Sequence, residues 1–215
     1  MSSSWNSQLT DDQIDSLKEV GNVGAGHAAS ELARLTGRKC LVSVPELIVG
    51  GFQEIKKTCQ LPDAVTVGLH MRIMGDIPAS MLVITERKHA ERILAAMQEV
   101  EGTVPGQPPA GPPDEITFLL ALKQLGEVLT HSFSDAITEF LGDRKNAGPI
   151  PEIVMEDWSS AVEALGARPD AGGNDQMAIR ADFSDCTKSF KGRFVYVLNP
   201  EAQTKILERI DKLFG

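Results

Sequence analysis

The chain has 215 residues, 42% of them apolar, with 30 carboxylates against 21 Lys and Arg for a net charge of −9. That length can fill a core without disulfides or structural metals. An acidic chain with eight Phe, two Trp and one Tyr also excludes a broad nucleic-acid surface, which needs clustered cations and stacking aromatics. The longest apolar run, residues 116–122 with one Thr inside it, is far short of the ~20 residues that span a bilayer. The opening Met-Ser-Ser-Ser-Trp lacks the basic and apolar regions of a secretory signal. Cys40, Cys59 and Cys186 show no Cys-x-x-Cys spacing and fit reduced, mostly buried thiols. The expectation is a cytoplasmic protein that meets neither membrane nor nucleic acid.

In chain order, Thr10 with Gln13 resembles a capping box. Leu17, Val20, Leu32 and Leu35 then recur at helical spacing up to Gly37, so a helix is predicted over residues 11–36. A short strand follows around Val44 and Pro45. Val65, Val67, Leu69, Met71 and Ile73 alternate with Thr66, Gly68, His70 and Arg72, the period of a strand with one buried face. An apolar run at 81–85 pairs with it, and a helix covers 86–98. Residues 101–113 hold five prolines and three glycines and propagate neither helix nor central strand.

Beyond that linker the pattern returns. Residues 122–128 (Leu-Lys-Gln-Leu-Gly-Glu-Val) match residues 17–23 (Leu-Lys-Glu-Val-Gly-Asn-Val) at an offset of 105, and Gly142 matches Gly37. Residues 150–155 match 44–49 at an offset of 106, and residues 194–197 match 81–84 at 113. Leu122, Leu125, Ile137 and Phe140 keep the helical spacing. Met177, Ile179, Ala181 and Phe183 keep the alternation, 194–199 is the second apolar run, and Pro200 fits the first turn of a last helix over 200–213. The unit of helix, strand, two paired strands and helix is therefore written twice, about 11–100 and about 114–215 around the linker 101–113. Two such units most simply join their sheets about a pseudo-twofold axis and cover them with the two long helices. The fold class is α+β, one pseudo-symmetric domain with a continuous, mostly antiparallel sheet under two equivalent helices.

The first helix carries the chemistry. Glu19 and Asn22 are three residues apart and project side by side, with Asp15 one turn earlier. Gly21, Gly24 and Gly26 each cost about 1 kcal/mol of helix propensity relative to alanine. Their use is either close packing against the equivalent helix or a slim approach to something outside. The Gly-x-x-Gly-x-Gly order follows a helical segment rather than a strand, so it is not the dinucleotide fingerprint. His27 and Glu31 have metal-ligand spacing without a third ligand nearby.

Asp15-x-x-x-Glu19-x-x-Asn22, followed after 22 residues by Pro45, resembles the signature of the CheC/CheX/FliY phosphatases of chemotaxis, and the likeness extends through both copies. The resemblance implies a hydrolase that removes the aspartyl phosphate of the response regulator CheY. Asn22 would orient the attacking water and Glu19 would engage the regulator's lysine, with Asp15 and Pro45 as supporting motif residues. The regulator would bring its own Mg²⁺, so the chain needs no cofactor of its own. The receptor deamidase CheD is a further partner the resemblance implies. Independently, an acyl phosphate is already activated and mainly needs a positioned water, a task suited to an amide. A Glu with a reference pKa of about 4.3 is a better ion-pair partner than general base at neutral pH.

The second copy has Gln124 and Glu127 where the first has Glu19 and Asn22, although Pro151 is kept; one competent site is expected. His27 stands where the family usually continues Gly-Asn-Ala. The alternative function is a weakly catalytic or non-catalytic module that binds phosphorylated CheY or regulates CheD. A switch component like FliY would need a further domain after Leu213, so that role is not expected.

Overall fold

The computed structural model describes residues 9–59, 66–73, 77–101, 114–142, 154–157, 176–198 and 200–214. Helix α1 (Asp11–Thr36) begins as the sequence predicts. The Thr10 side chain accepts from the Gln13 N–H, and the Thr10 N–H donates to Gln13 Oε1 at 3.1 Å, which satisfies two donors that a helix start otherwise leaves orphaned. Gly37 closes the helix at φ 64°, a conformation that strains any residue with a Cβ. The first half continues with β1 (Cys40–Val42), β2 (Glu46–Gly50), α2 (Phe52–Cys59), β3 (Thr66–Ile73), β4 (Ala79–Glu86) and α3 (Arg87–Glu101). The second comprises α4 (Glu115–Phe140), β5 (Val154–Asp157), β6 (Gln176–Asp185), β7 (Lys191–Leu198) and α5 (Pro200–Phe214). Of the linker 101–113, only Glu101, the end of α3, lies within the described residues.

Among the described residues, the strands form one antiparallel sheet in the order β1-β6-β7-β4-β3-β5, with β2 also on β6. The hairpins β3–β4 and β6–β7 meet where β4 pairs with β7. There Leu82 faces Val195, and these two residues are equivalent under the 113-residue offset between the copies, so the pseudo-twofold axis passes through that pair. Each half also lends a strand to the other: β2 pairs with β6 and β5 with β3. Neither half's sheet is complete without the other.

Helices α1 and α4 lie together on one face of the sheet. Their shared core includes Leu17, Leu32, Leu125, Phe133, Ile179 and Tyr196, and the Phe133 and Tyr196 rings stand 5.0 Å apart. The start of α4 is tied to α3 by Arg87, which donates to both Glu115 oxygens at 3.1 and 2.6 Å and stacks over Phe118.

Four points differ from expectation. The alternation in β3 implied one buried face, yet Thr66, Gly68 and His70 are also buried. The cause is that β3 and β4 are central strands, and a second apolar layer, with Ile55 and Cys59 of α2 against Leu82, Ile84, Val195 and Val197, covers part of the far face. His70 satisfies one ring nitrogen there with Ser80 Oγ at 3.2 Å. Helix α2 itself was missed, although Phe52, Ile55 and Cys59 have the spacing of a short amphipathic helix. Val44 and Pro45 precede the strand rather than form it. Finally, only Cys59 is a buried thiol, pushed up to about 12 by burial, whereas Cys40 is half-buried and Cys186 exposed.

Two of the three glycines of α1 serve packing. A Cβ on Gly21 would overlap the Ile179 Cγ2 methyl and stand 3.2 Å from the Pro45 Cβ. One on Gly24 would stand 2.9 Å from the Phe133 ring of α4. Gly26 faces open space, so a slim approach to a partner is left to Gly26 alone. Gly21→Ala is expected to lower stability by about 1–3 kcal/mol, because overpacking outweighs the gain in helix propensity. Gly26→Ala is expected to raise it by up to about 1 kcal/mol. Urea unfolding of the two variants checks the opposite signs.

Candidate functional site

Burial along α1 follows the helical period. Leu17, Val20, Gly21 and Gly24 point into the protein, and Asp15, Glu19, Asn22 and Gly26 point out. The contact at Gly21 fixes the rotation of the helix, so Glu19 and Asn22, on either side of it in sequence, are set outward on a rigid element. Among the described residues, Asp15 pairs with Lys18 at 3.2 Å and is 79% exposed; Glu19 and Asn22 enter no hydrogen bond or ion pair. An unpaired carboxylate and amide on one solvent-facing helix surface can engage a cation and a water presented from outside.

Pro45 is the part of the sequence motif that is buried. It lies under α1 at Gly21 because the ladder on β6 is broken at this point. Val42 pairs with Phe183 and Glu46 with Arg180, so three residues, 43–45, stand opposite two, 181 and 182. This is a β-bulge, a device that redirects side chains. Ser43 anchors it: its N–H donates to the Asp182 carbonyl at 2.8 Å, and its hydroxyl accepts from the Asp182 N–H at 2.9 Å.

The Asp182 side chain is gripped in turn. Its Oδ1 accepts from Arg193 Nε at 2.6 Å and its Oδ2 from Arg180 Nη2 at 3.1 Å. Burial works against its ionisation, but the hydrogen bonds from Arg193 and Arg180 outweigh burial and leave its pKa below the ordinary value.

The second copy presents a different face. Gln124 is exposed, while Glu127 is half-buried and pairs with Lys123 at 3.7 Å. Pro151 lies outside the described residues. Glu127 also lines a cleft of about 650 Å³ between α1 and α4, with His27, Glu31, His131 and Asp135. His131 Nε2 stands 3.0 Å from Asp135 Oδ2. Despite this gathering, no three His, Cys, Asp or Glu side chains among the described residues are grouped so as to hold a metal ion. No helix among the described residues is long and apolar enough to cross a membrane.

A two-copy antiparallel sheet under paired 26-residue helices defines the structural class, and known structures share it. FliY from Thermotoga maritima superposes with a TM-score of 0.66 at 19% identity, covering 95% of this chain and 98% of that one. The middle domain of FliM from H. pylori gives 0.56 at 10% identity, over 94% and 99%. In sequence, a model of the CheC-like family matches residues 13–49, the stretch that holds Asp15, Glu19, Asn22 and Pro45. The CheY-P phosphatase CheC of Bacillus subtilis (strain 168) is 28% identical over 162 residues, 72% of this chain and 71% of that protein. The chain is thus similar in sequence to CheC-like proteins, by its residues 13–49 and by its relative CheC, and it shares the fold of FliY.

The grip on Asp182 has a measurable pH signature. A folded pKa below the unfolded value of about 3.9 means that the stabilisation is fully present above that value and is lost as pH falls through the lower folded value. Urea midpoints of wild type and Asp182→Asn, compared from pH 7 down to pH 3, are therefore expected to differ most at neutral pH and to converge in acid.

Proposed function

We propose that the protein hydrolyses the aspartyl phosphate of a CheY-type response regulator, using Glu19 and Asn22. The observation that carries this reading is the outward, unpaired presentation of those two side chains on α1, with Gly21 in the same turn packed closely against Pro45 and Ile179. Support comes from the relative named a CheY-P phosphatase.

In this reading the exposed face of α1 enters the regulator beside its phosphorylated aspartate. The Asn22 carboxamide oxygen accepts a hydrogen bond from a water and keeps the water's lone pair directed at phosphorus. Attack forms one P–O bond and breaks the P–O bond to the aspartyl carboxylate, releasing inorganic phosphate and restoring the carboxylate. Glu19 pairs with a lysine of the regulator and fixes the register of the two proteins. Asp15 is paired with Lys18, and no metal-ligand set is present among the described residues. In this reading the Mg²⁺ of the reaction comes with the regulator, and no step of this chain runs through it. The setting of such a regulator is the cytoplasm.

A second reading, a binding module with weak turnover that acts on the regulator or on CheD, is favoured by one observation. The α4 face equivalent to Asp11, Asp15, Glu19 and Asn22 carries Ile116, Leu120, Gln124 and Glu127, with Ile116 71% and Leu120 62% exposed. Half of the pseudo-symmetric surface is suited to apolar contact rather than to phosphate chemistry.

Phosphate release from phosphorylated CheY of the same organism separates the two. Asn22→Ala is expected to slow it about 10²-fold or more, the scale of one positioned polar group, with an unchanged circular dichroism spectrum. Alanine at both Gln124 and Glu127 is expected to leave turnover nearly unchanged. Wild-type turnover by Asn22→Ala would refute the catalytic assignment, and a large loss from the α4 pair would refute the single site.

A further inference from the structure

We propose that Val44 is the apolar anchor by which the phosphorylated regulator docks beside Glu19 and Asn22, and that it governs affinity for that partner rather than the chemical step. The inference rests on the phosphatase reading of the α1 face and names a residue which that reading does not use.

Val44 is 81% exposed, more than any other large hydrophobic side chain among the described residues. Its exposure is built in by its neighbours. On one side, Ser43 is fixed to Asp182 by the two hydrogen bonds of 2.8 and 2.9 Å. On the other, Pro45 is buried against α1 at Gly21, and a residue before proline is confined to extended backbone. The extra residue of the bulge leaves Val44 with no partner on β6. A β-branched side chain also has little rotamer freedom to lose on binding.

A stiff, apolar, outward side chain is unfavourable in water and contributes nothing to the core. Its neighbour Pro45 lies against α1 at Gly21, in the turn that Glu19 and Asn22 flank, which brings the Val44 backbone to the same stretch of α1. In the proposed contact, a protein that lays a lysine against Glu19 also reaches Val44. The acidic row of α1 selects a cationic group on the regulator, and Val44 selects an apolar patch beside it. Burial of one such side chain is worth about tenfold in affinity.

The test pairs kinetics with binding. Turnover of phosphorylated CheY is measured for Val44→Asp, Val44→Ala and Val44→Ile, with Asn22→Ala alongside, and binding of beryllofluoride-activated CheY is measured by calorimetry. The expected result is a KM about tenfold or more higher for Val44→Asp, an intermediate rise for Val44→Ala and near wild-type values for Val44→Ile, with kcat within about twofold throughout. The calorimetric Kd should follow the same order. Because the side chain is exposed, thermal melts should be unchanged. If wild type binds activated CheY and Val44→Asp binds it equally well, the Val44 assignment fails and the catalytic reading stands. If Asn22→Ala turns over like wild type while Val44→Asp still weakens binding, the catalytic reading fails and the anchor stands. If activated CheY does not bind wild type at all, both fall.

Discussion

Helix α1 rests on the sheet at Gly21, where no side chain fits between the helix backbone, Ile179 and Pro45. This close approach fixes the helix in rotation as well as in height, because a turn of the helix in either direction would drive a larger residue into the same space. Glu19 and Asn22 flank that point, so their outward orientation follows from packing rather than from any bond of their own. The same contact seats Pro45, and through Pro45 the bulge that carries Val44. Gly24 against Phe133 then sets the distance to α4, and with it the cleft between the two long helices.

Internal symmetry explains the architecture, and its breakdown distinguishes the outer surfaces of α1 and α4. The Leu82–Val195 pair on the pseudo-axis and the exchanged strands β2 and β5 make the two halves obligate partners, so the helix of each half is held by a sheet to which both contribute. Once α4 is held in this way, its outer surface is free to diverge. Ile116, Leu120, Gln124 and Glu127 have replaced the acids and amide of the first copy while Leu122, Leu125 and Phe133 keep the core. Glu127 in place of an amide accepts but cannot donate when ionised, and its charge would oppose an anionic phosphoryl group.

Much of this was legible in the sequence because it depends on local periodicity. The limits and caps of α1, the hairpin strands, the last helix of each half and the two-copy pattern all follow from spacing that one element carries by itself. What was hidden depends on distant residues. The burial of Thr66 and His70 requires knowing that β3 is a central strand with a layer on both faces. The contact of Gly21 with Ile179 joins residues 158 positions apart in sequence, and the bulge at 43–45 exists only relative to the register of β6. The site residues were named from their spacing and family resemblance. That two of the glycines serve the core rather than the partner came only from the packing.

The most direct test of the account is to map where the regulator lands. In ¹⁵N-labelled protein titrated with beryllofluoride-activated CheY, the account predicts that amide shifts and line broadening concentrate on residues 15–26 of α1 and on Ser43 and Val44, with little change along residues 116–127 of α4. Perturbations centred on α4, with α1 and the bulge undisturbed, would contradict it.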